Sequence, residues 1–177
     1  CSADRVGLSR AKEEVIVELL FESRLEIVGV EGKLYFFQAR PRLHPEPVLQ
    51  PDSHCDRAGT SIYGTVLRDG GRLRMWYQAW PADWDGRDVS LVGYAESEDG
   101  LHWVKPQLHL VDYGQGPNNL CDLGLHSPSV FIDPGSPSDH RYRATGFGRP
   151  GSREANPRAT QPGYYTAHSA DGLHWEL

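Results

Sequence analysis

Two stretches decide how this chain is read: Ser97-Glu98-Asp99-Gly100-Leu101-His102-Trp103 and Ser169-Ala170-Asp171-Gly172-Leu173-His174-Trp175. They match everywhere except at Glu98 and Ala170, and their tryptophans stand 72 positions apart. The chemistry of each is local. An Asp carboxylate can accept backbone N–H bonds across a tight turn, and the glycine after it tolerates positive φ. The tryptophan then enters an outer strand and packs over a sheet. Each copy follows a β-type run with an aromatic, Tyr94-Ala95-Glu96 in one and Tyr165-Thr166-Ala167 in the other. The repeat is architecture rather than catalysis, and it predicts His102 and His174 at the surface.

Outward from the first copy the rhythm is regular. Ser61 to Leu67 reads as a strand, and Arg68-Asp69-Gly70-Gly71 reads as a turn. Leu73 to Trp80 is a second strand, with Leu73, Met75, Tyr77 and Ala79 on one side and Arg74, Trp76, Gln78 and Trp80 on the other. A loop passes through Asp83-Trp84-Asp85-Gly86, a third strand covers Ser90 to Glu96, and a short fourth follows Trp103. The second copy has the same order: Ser129 to Ile132, a turn at Asp133-Pro134-Gly135, Tyr142 to Phe147, Gly163 to His168, and a fourth strand opened by Trp175. Four antiparallel strands followed by four more is the blade pattern of a β-propeller. The expected fold is therefore all-β, with about two four-stranded antiparallel blades, residues 60–125 and 126–177, behind an N-terminal lead-in of residues 1–59. Within that lead-in, residues 15–21 and Lys33 to Phe37 read as strands. Val15-Ile16-Val17 is β-branched and resists the helix that Ala11-Lys12-Glu13-Glu14 could open. Pro41, Pro45, Pro47 and Pro51 mark an extended connection.

Composition agrees with many short strands. Nineteen Gly and 13 Pro punctuate 177 residues, which suits turns and not a helical bundle. With a net charge of -6 and no long basic run, a nucleic-acid-binding face is not expected. No apolar stretch approaches the ~20 residues that cross a bilayer as a helix. Cys1, Cys55 and Cys121 have neither zinc-site spacing nor an even count, so no metal, cofactor or disulfide framework is expected. Cys1-Ser2 is compatible with the start of a processed bacterial lipoprotein, which would place the protein outside the cytoplasm. It is equally compatible with a piece cut from a longer chain, and the missing initiator Met and abrupt end favour the piece.

Arg74-Met75-Trp76-Tyr77-Gln78, then Tyr94-Ala95-Glu96-Ser97 with Asp99-Gly100 and Trp103, resembles the glycoside hydrolases of family 32 and its clan, the 32/43-like five-bladed β-propellers. The resemblance is closer to uncharacterised bacterial proteins grouped with that family, through Tyr63-Gly64-Thr65-Val66-Leu67-Arg68-Asp69, Asn118-Asn119-Leu120 and Ser127-Pro128-Ser129-Val130-Phe131. It runs from about Leu43 to Leu177. It implies a sugar pocket at the mouth of a central channel and hydrolysis of fructose-, arabinose- or related glycans by two carboxylates flanking the anomeric carbon. Two departures stand out. Where the family would place its first Asp, this chain has Ile62, Tyr63 and Gly64; where it has Arg-Asp-Pro, this chain has His126-Ser127-Pro128.

The candidate site residues follow from those positions. Asp56, just before the first inner strand, is the nearest carboxylate and is taken as base or sugar-hydroxyl acceptor; the alternative is a loop carboxylate paired with Arg57. His126, Ser127, Asn118 and Asn119 are taken as sugar contacts, against plain loop roles. Trp80 and Trp84 flank a polar loop and could form an aromatic platform under a sugar, or pack within the blade. His54, Cys55 and Asp56 are too close in sequence to converge on a metal, and Asp83, Asp85 and Asp88 lack the glutamate of a calcium loop. The clan's proton donor is expected beyond Leu177, so residues 1–177 alone are expected to be inactive. Rival readings are a non-catalytic carbohydrate-binding propeller, a sialidase-like propeller and a structural repeat protein. The Ser-x-Asp turn suggests the sialidase reading, but the glycine falls one residue early and no arginine triad is identifiable.

Overall fold

The computed structural model describes residues 40–177 except Gln115, so the expected strands at 15–21 and 33–37 lie outside the described residues. Leu43–Leu177 forms one compact unit. Its strands are β1 (Gly59–Asp69), β2 (Arg72–Trp80), β3 (Val92–Ser97), β4 (Leu120–Cys121), β5 (His126–Ile132), β6 (Tyr142–Gly148) and β7 (Gly163–Ser169). A single turn of 3₁₀ helix, Ser138–His140, is the helical element of the described residues. The fold is all-β: two antiparallel sheets, ordered β1-β2-β3-β4 and β5-β6-β7.

The alternation read in β2 is the physical basis of the core. Met75, Tyr77 and Ala79 enter one buried cluster with Cys55, Leu91 and Leu120. Trp76, on the opposite face, enters a second cluster with Tyr94, Tyr142, Ala144, Ala167 and Trp175. This second cluster lies between the sheets, so the first sheet is buried on both faces. Arg74 joins it at one end. Its guanidinium donates to the Tyr94 hydroxyl at 2.5 Å and to the Tyr142 hydroxyl, with Asp69 and Arg141 completing the set. Trp76 Nε1 donates to the Gly172 carbonyl at 2.7 Å, so the second turn is bonded directly to the first sheet.

Both turns have the predicted chemistry, nearly atom for atom. Asp99 Oδ1 accepts the Leu101 and His102 backbone N–H groups at 2.8 Å each, and Asp171 Oδ1 accepts those of Leu173 and His174 at 2.8 and 2.9 Å. Ser97 and Ser169 hydroxyls accept the Gly100 and Gly172 N–H groups at 2.8 Å, with the glycines at φ 80° and 78°. His102 and His174 stay at the surface, each ring Nδ1 paired with its turn aspartate.

The fourth strands differ from expectation. After Trp103 there is only an isolated bridge, Val104 to Glu96, and the fourth place is taken by β4, pairing with Val92 and Gly93. Pro106 supplies the reason: without an N–H it cannot continue a ladder begun at Val104. After Trp175 there is likewise only the bridge His168 to Glu176, so the second sheet has three strands rather than four.

Candidate functional site

Strands β1 and β5 lie side by side and run the same way. Ser127 N–H donates to Gln78 Oε1 at 3.4 Å, where Gln78 pairs with Ser61, and Val130 N–H donates to the Thr65 hydroxyl at 2.8 Å. Each strand breaks register at the same end: β1 between Ser61 and Thr65, β5 between His126 and Ser129. Such bulges re-aim side chains at the ends of sheets. In β1 the break needs a glycine at 64, because a Cβ there would collide with the Trp76 carbonyl. In β5 it puts Ser127 at φ 51°, an uncommon conformation for a non-glycine residue.

The two bulges hold the positions singled out in the sequence, Ile62-Tyr63-Gly64 and Ser127. Here they present Ile62 and Tyr63, 56% and 58% exposed, and an exposed Ser127. His126 is half-buried with its Nδ1 enclosed and unpartnered among the described residues. Gln78 stitches the floor. It is fully buried, donates from Nε2 to the Val89 and Leu91 carbonyls at 3.3 and 2.9 Å, and accepts from Ser127.

Trp80 and Trp84 lie at this same end. Trp80 pairs with Gly59 at the start of β1, and its ring stands 5.9 Å from Trp84 and 6.3 Å from Tyr63. Trp84 is 42% exposed, and its Nε1 is satisfied by the Arg87 carbonyl at 2.7 Å, which fixes the ring without covering it. The structure therefore brings Trp80 and Trp84 together and adds Tyr63.

Asp56 lies on the opposite face of β2, with Tyr77, and is closed off. It has no exposure, and its carboxylate accepts from Ser53 N–H at 3.0 Å, the Ser53 hydroxyl at 2.9 Å, the Tyr77 hydroxyl at 2.9 Å and Lys105 Nζ at 2.6 Å. The partner is Lys105, not Arg57. Burial alone would raise the Asp56 pKa, but the lysine and the three further donors outweigh it and hold the acid below its ordinary value. With these donors and no open face, the carboxylate has no room for a sugar or a water to approach. Burial, then the Asp56 charge, push the Tyr77 hydroxyl well above its usual range. Asn119 belongs to this buried group, donating to the Tyr77 hydroxyl and the Tyr94 carbonyl at 2.8 Å each. Asn118 is also buried, donating to the Val111 carbonyl at 2.9 Å. Asn119 thus ties the 105–119 loop to the first sheet, and Asn118 closes that loop on itself.

The acidic loop is neutralised pair by pair. Asp83 binds Arg153 at 2.7 Å, Asp88 binds Arg149, and Asp85 lies 3.4 Å from Arg87. Among the described residues no group of three or more His, Cys, Asp or Glu could hold a metal ion. Sequence reading missed Lys105 and Gln78. Lys105 could have been flagged as a lone basic residue beside Pro106 in an apolar stretch, and Gln78 by its place between Trp76 and Trp80 on one face of the strand.

No protein-family model matches this chain. Two proteins of Mycobacterium tuberculosis, from strains CDC 1551 / Oshkosh and ATCC 25618 / H37Rv and both described as uncharacterized, are 33% identical over 116 residues. The match covers 64% of this chain but 32% of each relative, so the chain spans about a third of the length of these relatives. Among solved structures, sucrose-6-phosphate hydrolase from Lactobacillus gasseri superposes with a TM-score of 0.50 at 19% identity, over 76% of this chain and 24% of that one. At that identity the likeness is one of fold.

Proposed function

We propose that the protein is a glycoside-hydrolase-like β-propeller directed at fructose-, arabinose- or related glycans. In this reading residues 60–125 and 126–177 are two successive blades, residues 1–59 lead into them, and the paired bulges of β1 and β5 form part of a sugar pocket at the mouth of the channel. The observation that carries the reading is the paired bulge: two adjacent inner strands break register at one end, beside exposed aromatic rings and the polar pair His126 and Ser127. The fold shared with a sucrose-6-phosphate hydrolase supports it.

Within that function we assign this chain to holding the sugar. Hydrolysis needs one carboxyl to protonate the leaving oxygen and another on the opposite face of the ring. The bulges offer Ile62, Tyr63, Gly64 and Ser127 instead, and Asp56 is spent on Lys105. His126 and Ser127 bond sugar hydroxyls, Trp80 and Trp84 pack against C–H faces, and Asp56, Asn118 and Asn119 hold the loops behind them. A second reading, a propeller that binds glycans without cleaving them, is favoured by the same filled acid positions.

Calorimetric titration of the 177-residue chain with fructo- and arabino-oligosaccharides, beside a reducing-sugar assay on inulin and arabinan, tests the proposal. Binding without turnover is expected. Turnover by this chain would overturn its assignment to binding, and no binding to any of these glycans would overturn the carbohydrate reading itself. A reducing-sugar assay on the two longer Mycobacterium tuberculosis relatives with the same glycans helps to decide between the enzyme and the binder.

A further inference from the structure

Resting on the carbohydrate reading above, the geometry points to an extended glycan, at least three residues long, as the ligand of this mouth. We infer that Tyr63, Trp80 and Trp84 form a three-ring ladder along which successive sugars pack. Three observations carry this.

The rings form a chain, not a cluster. Tyr63 to Trp80 is 6.3 Å at an interplanar angle of 75°, and Trp80 to Trp84 is 5.9 Å at 46°. Each step, about 6 Å, is comparable to the spacing of successive rings along a glycan. The outer rings are open, Tyr63 at 58% and Trp84 at 42%, while every other tryptophan of the described residues is buried or half-buried. Exposed aromatics gathered at one place mark an interaction surface.

The rings are also held in advance of any ligand. Tyr63 sits in the register break next to Gly64, where no larger residue fits against Trp76. Trp84 is fixed by its Nε1 bond to Arg87, and the Asp85 carboxylate accepts the Arg87 N–H at 3.1 Å, closing the loop that carries it. Rigid rings cost little entropy on binding.

The surroundings favour a polyol over an apolar protein partner. The loop carries Asp83, Asp85, Arg87 and Asp88 in paired charges, so the ladder is rimmed by hydrogen-bonding groups with no large net charge. Such a rim matches a neutral ligand that is apolar on its ring faces and polar at its edges.

The test is a chain-length series with the 177-residue protein: fructose, sucrose, then fructo-oligosaccharides of three to six units, with the matching arabino-oligosaccharides, followed by tryptophan fluorescence and calorimetry. Affinity is expected to rise about three- to tenfold per unit up to three units and then level off, since one aromatic contact contributes about that factor. Trp84→Ala and Tyr63→Ala, checked for unchanged thermal unfolding, should return the longer sugars to the affinity of the disaccharide; Trp84→Phe should keep most of the gain. Binding that is independent of chain length, or unaffected by both alanine variants, overturns the ladder and leaves the carbohydrate reading standing. Failure of every sugar to bind overturns both.

Discussion

The two sheets end in the same turn and yet are used differently. Register fixes the correspondence: Leu73 faces Ser97 in the first sheet and Tyr142 faces Ser169 in the second, so Trp76 corresponds to Thr145 and Gln78 to Phe147. In the first sheet these positions are buried, Trp76 in the core between the sheets and Gln78 beneath the two register breaks, bonded to Ser127. In the second sheet Thr145 is exposed and Phe147 half-buried, on a face that also carries exposed Phe131 and Tyr164. The turns therefore set where a sheet ends, whereas the β2-type strand sets what the sheet packs against. A conserved-looking motif and a divergent strand can coexist because they answer to different contacts.

That comparison is most directly broken at the corresponding pair. Trp76→Ala should lower unfolding stability by about 3–5 kcal/mol, the usual loss for emptying a buried aromatic site. Thr145→Ala should change it by less than about 0.5 kcal/mol, as an exposed substitution. Urea unfolding of both variants checks this. A comparable loss at Thr145 would mean that the outer face of the second sheet is covered in solution.

The first sheet also holds a buried ion pair for which the second shows no counterpart among the described residues. Lys105→Met should cost about 3 kcal/mol, because it leaves the Asp56 carboxylate unpaired where no water reaches it. Adding Asp56→Asn should recover part of that loss, and a denaturation series on the single and double variants measures it. Since the Asp56 pKa is lowered on folding, its contribution is present above the ordinary carboxylate range and fades as pH falls through the folded value. Lys105→Met should therefore flatten the acid limb of the stability profile.

Much of this organisation was readable from local chemistry. The turns were, because every bond in them runs between residues at most three apart. The faces of β2 were, because alternation is a backbone property. The fourth strands were not: an outer strand needs a partner, and Pro106 diverts the chain until Leu120 returns from fourteen residues on to fill the place. The candidate site was less readable. Proximity in sequence to β1 suggested Asp56 for it, but Asp56 packs on the Tyr77 face of β2, opposite the face that carries Gln78 and Trp80. Its fate was decided by Lys105, 49 residues away, a contact with no local trace.

The sheets differ again in how they admit glycine. Gly93 in β3 lies beneath the Tyr77 ring, and a Cβ would enter it, whereas Gly163 in β7 has open space around it. Gly93→Ala should cost about 1–3 kcal/mol by forcing Tyr77 off Asp56 and Asn119. Gly163→Ala should be neutral or slightly stabilising. Thermal unfolding distinguishes them, and equal effects would show that the ring moves freely.

The smallest difference lies in the turns themselves, in the surroundings of their histidines. His174 pairs with Asp171 at 2.7 Å and also feels Asp122, whose carboxylate accepts the Trp175 N–H at 2.7 Å. The Asp171 bond raises the His174 pKa above its ordinary value against the opposing effect of burial, with the charges of Asp171 and Asp122 adding to the rise. Burial would raise the Asp171 pKa, but the His174 and Leu173 N–H groups and the imidazole prevail and hold it at about 2. The aspartate's contribution is thus present above its unfolded pKa near 3.8 and is lost as pH falls toward 2. The histidine's is full below its unfolded pKa near 6.5 and is lost as pH rises through the higher folded value. The pair supports the turn between those limits. Both side chains are partly exposed, so solvent keeps the effect on overall stability small. An NMR titration of the imidazole carbons should find His174 titrating above 6.5, and Asp171→Asn should bring it back toward that value. If His174 in Asp171→Asn titrates where it does in the parent, Asp122 rather than the turn aspartate sets its charge, and the second turn is governed by the first sheet, whose β4 leads into Asp122.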